Sequence, residues 1–232
     1  MKIENNSFND HQVVEMLDHA VLKPEMTEAD VVAGCELACQ HQIAAVSVKP
    51  CYLPLAVREL AGSGVAAGTV VSFPHGSSTT AVKVFEAQDA IANGAVELDV
   101  VMNFAAMRSG RPEYVRDEIR AIVDAVDSQA LVKVILENHF LTKDQIALAC
   151  RLLQEAGVDY VKTSTGFSQT GAQLEDLHWM RANLRGSVLV KAAGGIRTLS
   201  DARAMIEAGA SRLGTSSTKA ILDEIQAYSA RI

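Results

Sequence analysis

Eight short β-branched runs recur along the chain, each followed by a longer segment of helical period, and this alternation limits the fold more than any other feature. The runs are 16–21 (MLDHAV), 44–49 (AAVSVK), 68–73 (GTVVSF), 96–102 (VELDVVM), 131–137 (LVKVILE), 159–164 (DYVKTS), 188–193 (VLVKAA) and 211–216 (SRLGTS). Between them lie Ala-, Leu- and Glu-rich stretches such as 27–40, 78–94, 142–157, 199–209 and 217–229. Thr27, Thr142 and Ser200 stand where helices need an N-cap, and Gly94, Gly157 and Gly209 stand where they should stop. Strands that alternate with helices pair in parallel. Eight such units in 232 residues predict an α/β fold of one domain, a single (β/α)8 TIM barrel. An open doubly wound sheet is the alternative, but no GxGxxG follows the first run, so it lacks the dinucleotide fingerprint.

With 49% hydrophobic residues the chain has a sizeable core to bury, and no linker or low-complexity segment divides it. The formal net charge of −7 argues against partners with extended phosphate surfaces, so no nucleic acid and no membrane are expected. A local phosphate pocket remains compatible with it. The start MKIENNSFND is polar and acidic, and no stretch is long and apolar enough to span a bilayer, which predicts a cytoplasmic protein. Cys35, Cys39, Cys51 and Cys150 are too scattered for a disulfide framework. Cys35 and Cys39 with His41 sit in an amphipathic helical stretch without a second ligand cluster, so helix packing is preferred to a metal.

Strands of a parallel sheet are covered on both faces, so ionisable residues inside them need a reason. These runs carry Asp18, Lys49, Glu97, Asp99, Lys133, Glu137, Lys162 and Lys191. Lys133, Glu97 and Glu137 read as structural ion pairs. Asp18, Asp99, Lys162 and Lys191 fall late in their runs, where a barrel gathers its catalytic groups, and should share one mouth. The strands bearing Lys162 and Lys191 are consecutive, which brings two ammonium groups together in a partly dry site. Burial and like charge both disfavour protonation, leaving an amine able to attack a carbonyl. Asp99 beside them could shuttle protons. Glycines follow both lysines, in Lys162-Thr-Ser-Thr-Gly166 and Lys191-Ala-Ala-Gly194-Gly195, and Gly214-Thr-Ser216-Ser217 precedes the last helical segment. Such backbone can approach an anion closely, as in a phosphate cradle at the late end of a barrel.

The segments LDHAVLKP (17–24), VVSFPHG (70–76), ELDVVMNFAAMRSG (97–110), VKVILE (132–137), VKTSTGF (161–167), VKAAGGIRT (190–198) and LGTSS (213–217) follow one another with the spacing of a known family. On these the chain resembles the deoxyribose-phosphate aldolases, class I enzymes that work through a lysine Schiff base. The resemblance implies Lys162 as the nucleophile, Lys191 as the lysine that depresses its pKa, Asp99 as a proton relay and Asp18 as support for the site. It implies that Gly166, Gly194, Gly195, Ser216 and Ser217 hold the substrate phosphate. The implied reaction, in deoxyribose phosphate catabolism, is reversible cleavage of 2-deoxy-D-ribose 5-phosphate to acetaldehyde and D-glyceraldehyde 3-phosphate, without metal or organic cofactor. A homo-oligomer is implied by analogy.

Ser47 and Lys49 stand where the family commonly has Cys and an uncharged residue, and Lys49 would add a cation near the mouth. Asn138, His139 and Phe140 are bulkier than the usual loop after the fifth run, and the chain ends AYSARI rather than with a terminal tyrosine. These differences bear on acceptor selectivity and rate. A transaldolase-like enzyme could use the same lysine chemistry, and a silent barrel could bind a sugar phosphate as a sensor; a mere binder has no need to keep two lysines at a desolvation cost. His19, His75 and His139 lie near strand ends, and none is assigned a catalytic role.

Overall fold

The computed structural model describes residues 10–229; the start of MKIENNSFND and the end of AYSARI lie outside the described residues. Eight parallel strands form a closed barrel in chain order: β1 (Leu17–Val21), β2 (Ala45–Val48), β3 (Ala66–Val71), β4 (Glu97–Val101), β5 (Leu131–Ile135), β6 (Tyr160–Lys162), β7 (Leu189–Ala193) and β8 (Arg212–Thr215). The ring shuts where β1 pairs with β8, Asp18 opposite Gly214. Around it run α1 (Asp10–Glu15), α2 (Glu28–His41), α3 (Leu53–Glu59), α4 (Thr80–Ala92), α5 (Phe104–Arg108), α6 (Pro112–Val126), α7 (Lys143–Ala156), α8 (Leu174–Asn183), α9 (Leu199–Glu207) and α10 (Thr218–Ser229). The (β/α)8 barrel expected from the alternation is the fold observed. Among the described residues no helix is long and apolar enough to cross a membrane.

The helices begin and end for local reasons. The Thr142 hydroxyl accepts from Gln145 N–H while Gln145 Oε1 accepts from Thr142 N–H, and Gly157 ends α7 in the left-handed region at φ 88°. Ser200 is not the cap of α9: Thr198 is, and Asp201 closes its box, because Leu199 is drawn inward and begins the helix. The side-chain alternation of the strands explains how charge enters a covered sheet. Leu98, Val100, Val132, Val134, Val161, Val190 and Ala192 belong to the apolar layer under the helices. Their neighbours Glu97, Asp99, Lys133, Lys162 and Lys191 turn the other way, into the barrel, where all are buried.

Candidate active site

Register sets the charged interior. Asp99 is the neighbour of Lys133 across β4 and β5, and Lys162 the neighbour of Lys191 across β6 and β7. Asp99 lies at the centre: Lys162 Nζ donates to its Oδ2 at 2.5 Å, Lys191 Nζ to the same oxygen at 2.7 Å, and Lys133 Nζ to Oδ1 at 3.1 Å. Lys191 also donates to Asp18 Oδ2 at 2.5 Å, and Ser47 Oγ to Asp18 Oδ1 at 2.7 Å. Below this, Glu97 receives Lys133 at 2.7 Å and Arg212 at 3.1 Å. Lys162, Lys191, Asp99 and Asp18 are thus brought together as expected, although Asp18 is not late in its strand: it is the second residue of β1, and Lys191 reaches down to it.

Burial and neighbours divide these groups. Desolvation lowers the Lys162 ammonium pKa most, and Lys191 adds to it against the pull of Asp99, bringing it to about 8. Lys133 moves the other way, because Asp99, Glu97 and Asp18 outweigh the cost of its burial. Burial would raise both aspartates, but Lys191 and Lys133 bring Asp18 down to about 2, and three lysines hold Asp99 well below the usual carboxylate range. At neutral pH the interior therefore holds ionised carboxylates and one lysine close to release of its proton.

Beside the lysines opens a cavity of about 460 Å³. Gly166, Gly194, Gly195, Ser216 and Ser217 all line it, together with two basic residues, Lys23 and Arg197, which the sequence did not single out. Gly214 joins cavity to lysine: a Cβ there would stand 3.2 Å from Lys191 Cε. Gly194 and Gly195 have φ of 85° and 81°, a left-handed conformation that suits glycine. Ser217 N–H is already bonded to Thr215 Oγ1 at 2.9 Å, so its hydroxyl is the group left for a ligand.

Several side chains differ from expectation. Lys49 is not a free cation: its Nζ donates to the Lys23, Pro24 and Met26 carbonyls, at 3.2, 3.1 and 2.7 Å, and pins the loop after β1. Lys133 and Glu97 form the expected ion pair, but Glu137 has hydroxyl and amide partners instead. It is buried, at φ 56°, and accepts from Thr165 N–H, Thr165 Oγ1 and Ser168 Oγ, clamping the loop that carries Gly166. Those partners lie 28 and 31 residues away, beyond the reach of local pattern. Asn138 turns from the mouth to Asp176 on α8 at 3.3 Å. His139 bonds Thr170 and His19 bonds Thr218, each at 2.9 Å. Phe73, after β3, meets Phe167, after β6, edge to face at 5.3 Å. Cys35 belongs to the apolar core.

A sequence profile of the DeoC/LacD family aldolases matches residues 12–224. The chain belongs to this family. A deoxyribose-phosphate aldolase of Clostridium novyi (strain NT) is 48% identical over 207 residues, which cover 89% of this chain and 93% of that one. A deoxyribose-phosphate aldolase of Bacillus subtilis (strain 168) is 45% identical over 210 residues, 90% of this chain and 94% of its own. Among solved structures, the deoxyribose phosphate aldolase of Aeropyrum pernix, described as tetrameric, superposes with a TM-score of 0.85 at 30% identity, covering 97% of this chain and 94% of the other. For this family member the lysine cluster and the adjoining glycine-lined cavity are the parts with chemistry to offer.

Proposed function

We propose that the chain, as one barrel domain, is a deoxyribose-phosphate aldolase that reversibly cleaves 2-deoxy-D-ribose 5-phosphate to acetaldehyde and D-glyceraldehyde 3-phosphate. The observation that carries this reading is Lys162: a buried lysine with an ammonium pKa brought to about 8, in a cluster whose Lys191 adjoins a glycine-lined cavity through Gly214. Its free amine attacks the aldehyde carbon of the open sugar, and loss of water gives an iminium. The iminium draws the electrons of the C2–C3 bond as the C3 hydroxyl loses its proton, releasing D-glyceraldehyde 3-phosphate and leaving an enamine. Protonation of the enamine carbon and hydrolysis then free acetaldehyde and restore the amine.

Asp99 is too strongly ionised to store a proton at neutral pH, so in this scheme it orients Lys162 and Lys191 and passes protons through their shared hydrogen bonds. Asp18 holds Lys191 from the other side. Gly166, Gly194, Gly195, Ser216 and Ser217 bind the phosphate, and Arg197 and Lys23 add positive charge. Removing the 5-phosphate leaves these donors without an anion, at roughly 1.5–3 kcal/mol for each charge-assisted bond. The test is acetaldehyde release from 2-deoxyribose 5-phosphate and from 2-deoxyribose: kcat/KM should be far higher for the phosphate, and equal values would remove the cradle from the reading. Unpaired cysteines fit a reducing cytoplasm, and the tetrameric relative supports a homo-oligomer, for which the mass in solution is the check.

A further inference from the structure

The network of ion pairs at the centre of the barrel contains more positive than negative groups. Lys133, Lys162, Lys191 and Arg212 are four cations when protonated; Asp18, Glu97 and Asp99 are three carboxylates, and every one is linked to the others by contacts of 4.0 Å or less. Four against three leaves a surplus of one charge. In a dry interior a surplus charge is costly, and the cheapest relief is loss of a proton. Geometry decides which cation loses it. Arg212 cannot deprotonate. Lys133 has Glu97 at 2.7 Å, Asp99 at 3.1 Å and Asp18 at 4.0 Å. Lys191 has Asp18 at 2.5 Å and Asp99 at 2.7 Å. Lys162 has Asp99 alone, an oxygen it shares with Lys191.

We propose that Lys133, fixed by Glu97 at the base of the cluster, is a positioning residue that makes the free amine of Lys162 the charge-balanced state of the barrel. It touches no substrate atom and acts through Asp99 and the charge count. The inference rests on Lys162 being the nucleophile. The opposite directions in which burial and neighbours move Lys162 and Lys133 agree with the division. The iminium restores the surplus, and bond cleavage gives a neutral enamine and one proton from the C3 hydroxyl; with that proton passed to bulk water the surplus leaves the barrel, so the same imbalance favours the step that breaks the bond. The other ionisable groups nearby lie outside this network of contacts. The Tyr160 ring lies under Arg212 at 5.8 Å. Glu137 is engaged with Thr165 and Ser168 above, and His19 turns to Thr218.

The test is the pH dependence of acetaldehyde capture in the presence of cyanoborohydride, which has no phosphate titration to confuse it. Lys133→Met leaves three cations against three carboxylates, so protonated Lys162 becomes the balanced form. Its acid limb should move up by at least about one pH unit. Glu97→Gln leaves four against two and should move the limb down. Lys133→Met with Glu97→Gln leaves three against two, the wild-type surplus, and should return the limb to the wild-type position. A merely structural role would lower stability in all three without this order of signs. Unmoved limbs, or both single variants moving the same way, overturn the proposal; if Lys133→Met does not fold, Glu97→Gln and the double variant decide it. An adduct found away from Lys162 in the wild type would instead overturn the nucleophile assignment.

Discussion

Gly171→Ala is the substitution that separates phosphate binding from imine chemistry. Gly171 needs no left-handed backbone; it is constrained by contact. A Cβ there would stand 2.1 Å from Gly194 O, 2.3 Å from Gly194 C and 2.8 Å from Gly194 Cα. All three are main-chain atoms, and Ala172 N–H ties the same loop to Ala193 O and Gly194 O at 3.0 Å each. The methyl cannot be relieved by a rotamer change, so Gly194 and Gly195 must shift out of place. Overpacking of this kind costs about 1–3 kcal/mol of stability. Displacing one charge-assisted phosphate donor costs roughly 1.5–3 kcal/mol more in binding, or about 10- to 150-fold. The assay is kcat/KM for 2-deoxyribose 5-phosphate and for 2-deoxyribose in wild type and variant, with acetaldehyde trapping as control. The ratio between the two substrates should fall at least about tenfold while trapping on Lys162 persists. A destabilised protein with an unchanged ratio would show that this loop does not hold the phosphate.

Lys191→Leu should raise the Lys162 pKa from about 8 and slow the reaction at pH 7, with the defect shrinking as pH rises. The rise should be partial, because burial, the larger cause of the lowered pKa, remains; an acid limb that stays put would show that Lys191 does not set it. Stability should also fall in acid. Asp18 is lowered from 3.8 to about 2, so its contribution is complete above the unfolded value and is lost as pH drops through the folded one. The difference, 3.8 minus 2, corresponds to about 2 kcal/mol. Urea denaturation of wild type and Asp18→Asn at pH 5 and near pH 2 is the check, and equal acid sensitivity would refute it.

The barrel was legible because its strands are apolar on the helix-facing side and because βα alternation persists from one end to the other. Their ends were less so. The third run was expected over 68–73 but β3 is Ala66–Val71, cut off by Ser72, whose φ of 52° breaks the strand. Lys162, Lys191 and Asp99 stood out as charges inside β-branched runs, a signal that survives without knowledge of pairing. Position along the barrel did not: Asp18 sits early in β1 and joins the cluster only because a lysine side chain is long enough to reach it. Lys133 read as a plain ion-pair partner, since sequence shows neither the shared Asp99 nor the register that brings it there. Lys49 read as a free cation for the mouth, yet three carbonyls of the loop after β1 hold it.

Chemical capture of the nucleophile is the decisive measurement. The wild-type protein is incubated with acetaldehyde, reduced with borohydride, digested and mapped by mass spectrometry, because a reduced imine remains at the residue that formed it. The added two-carbon group should be found on Lys162, and Lys162→Ala should give no adduct while retaining the native fold. An adduct on Lys191, Lys133 or a surface lysine, or none at all, would contradict the assignment of Lys162 as the Schiff-base residue.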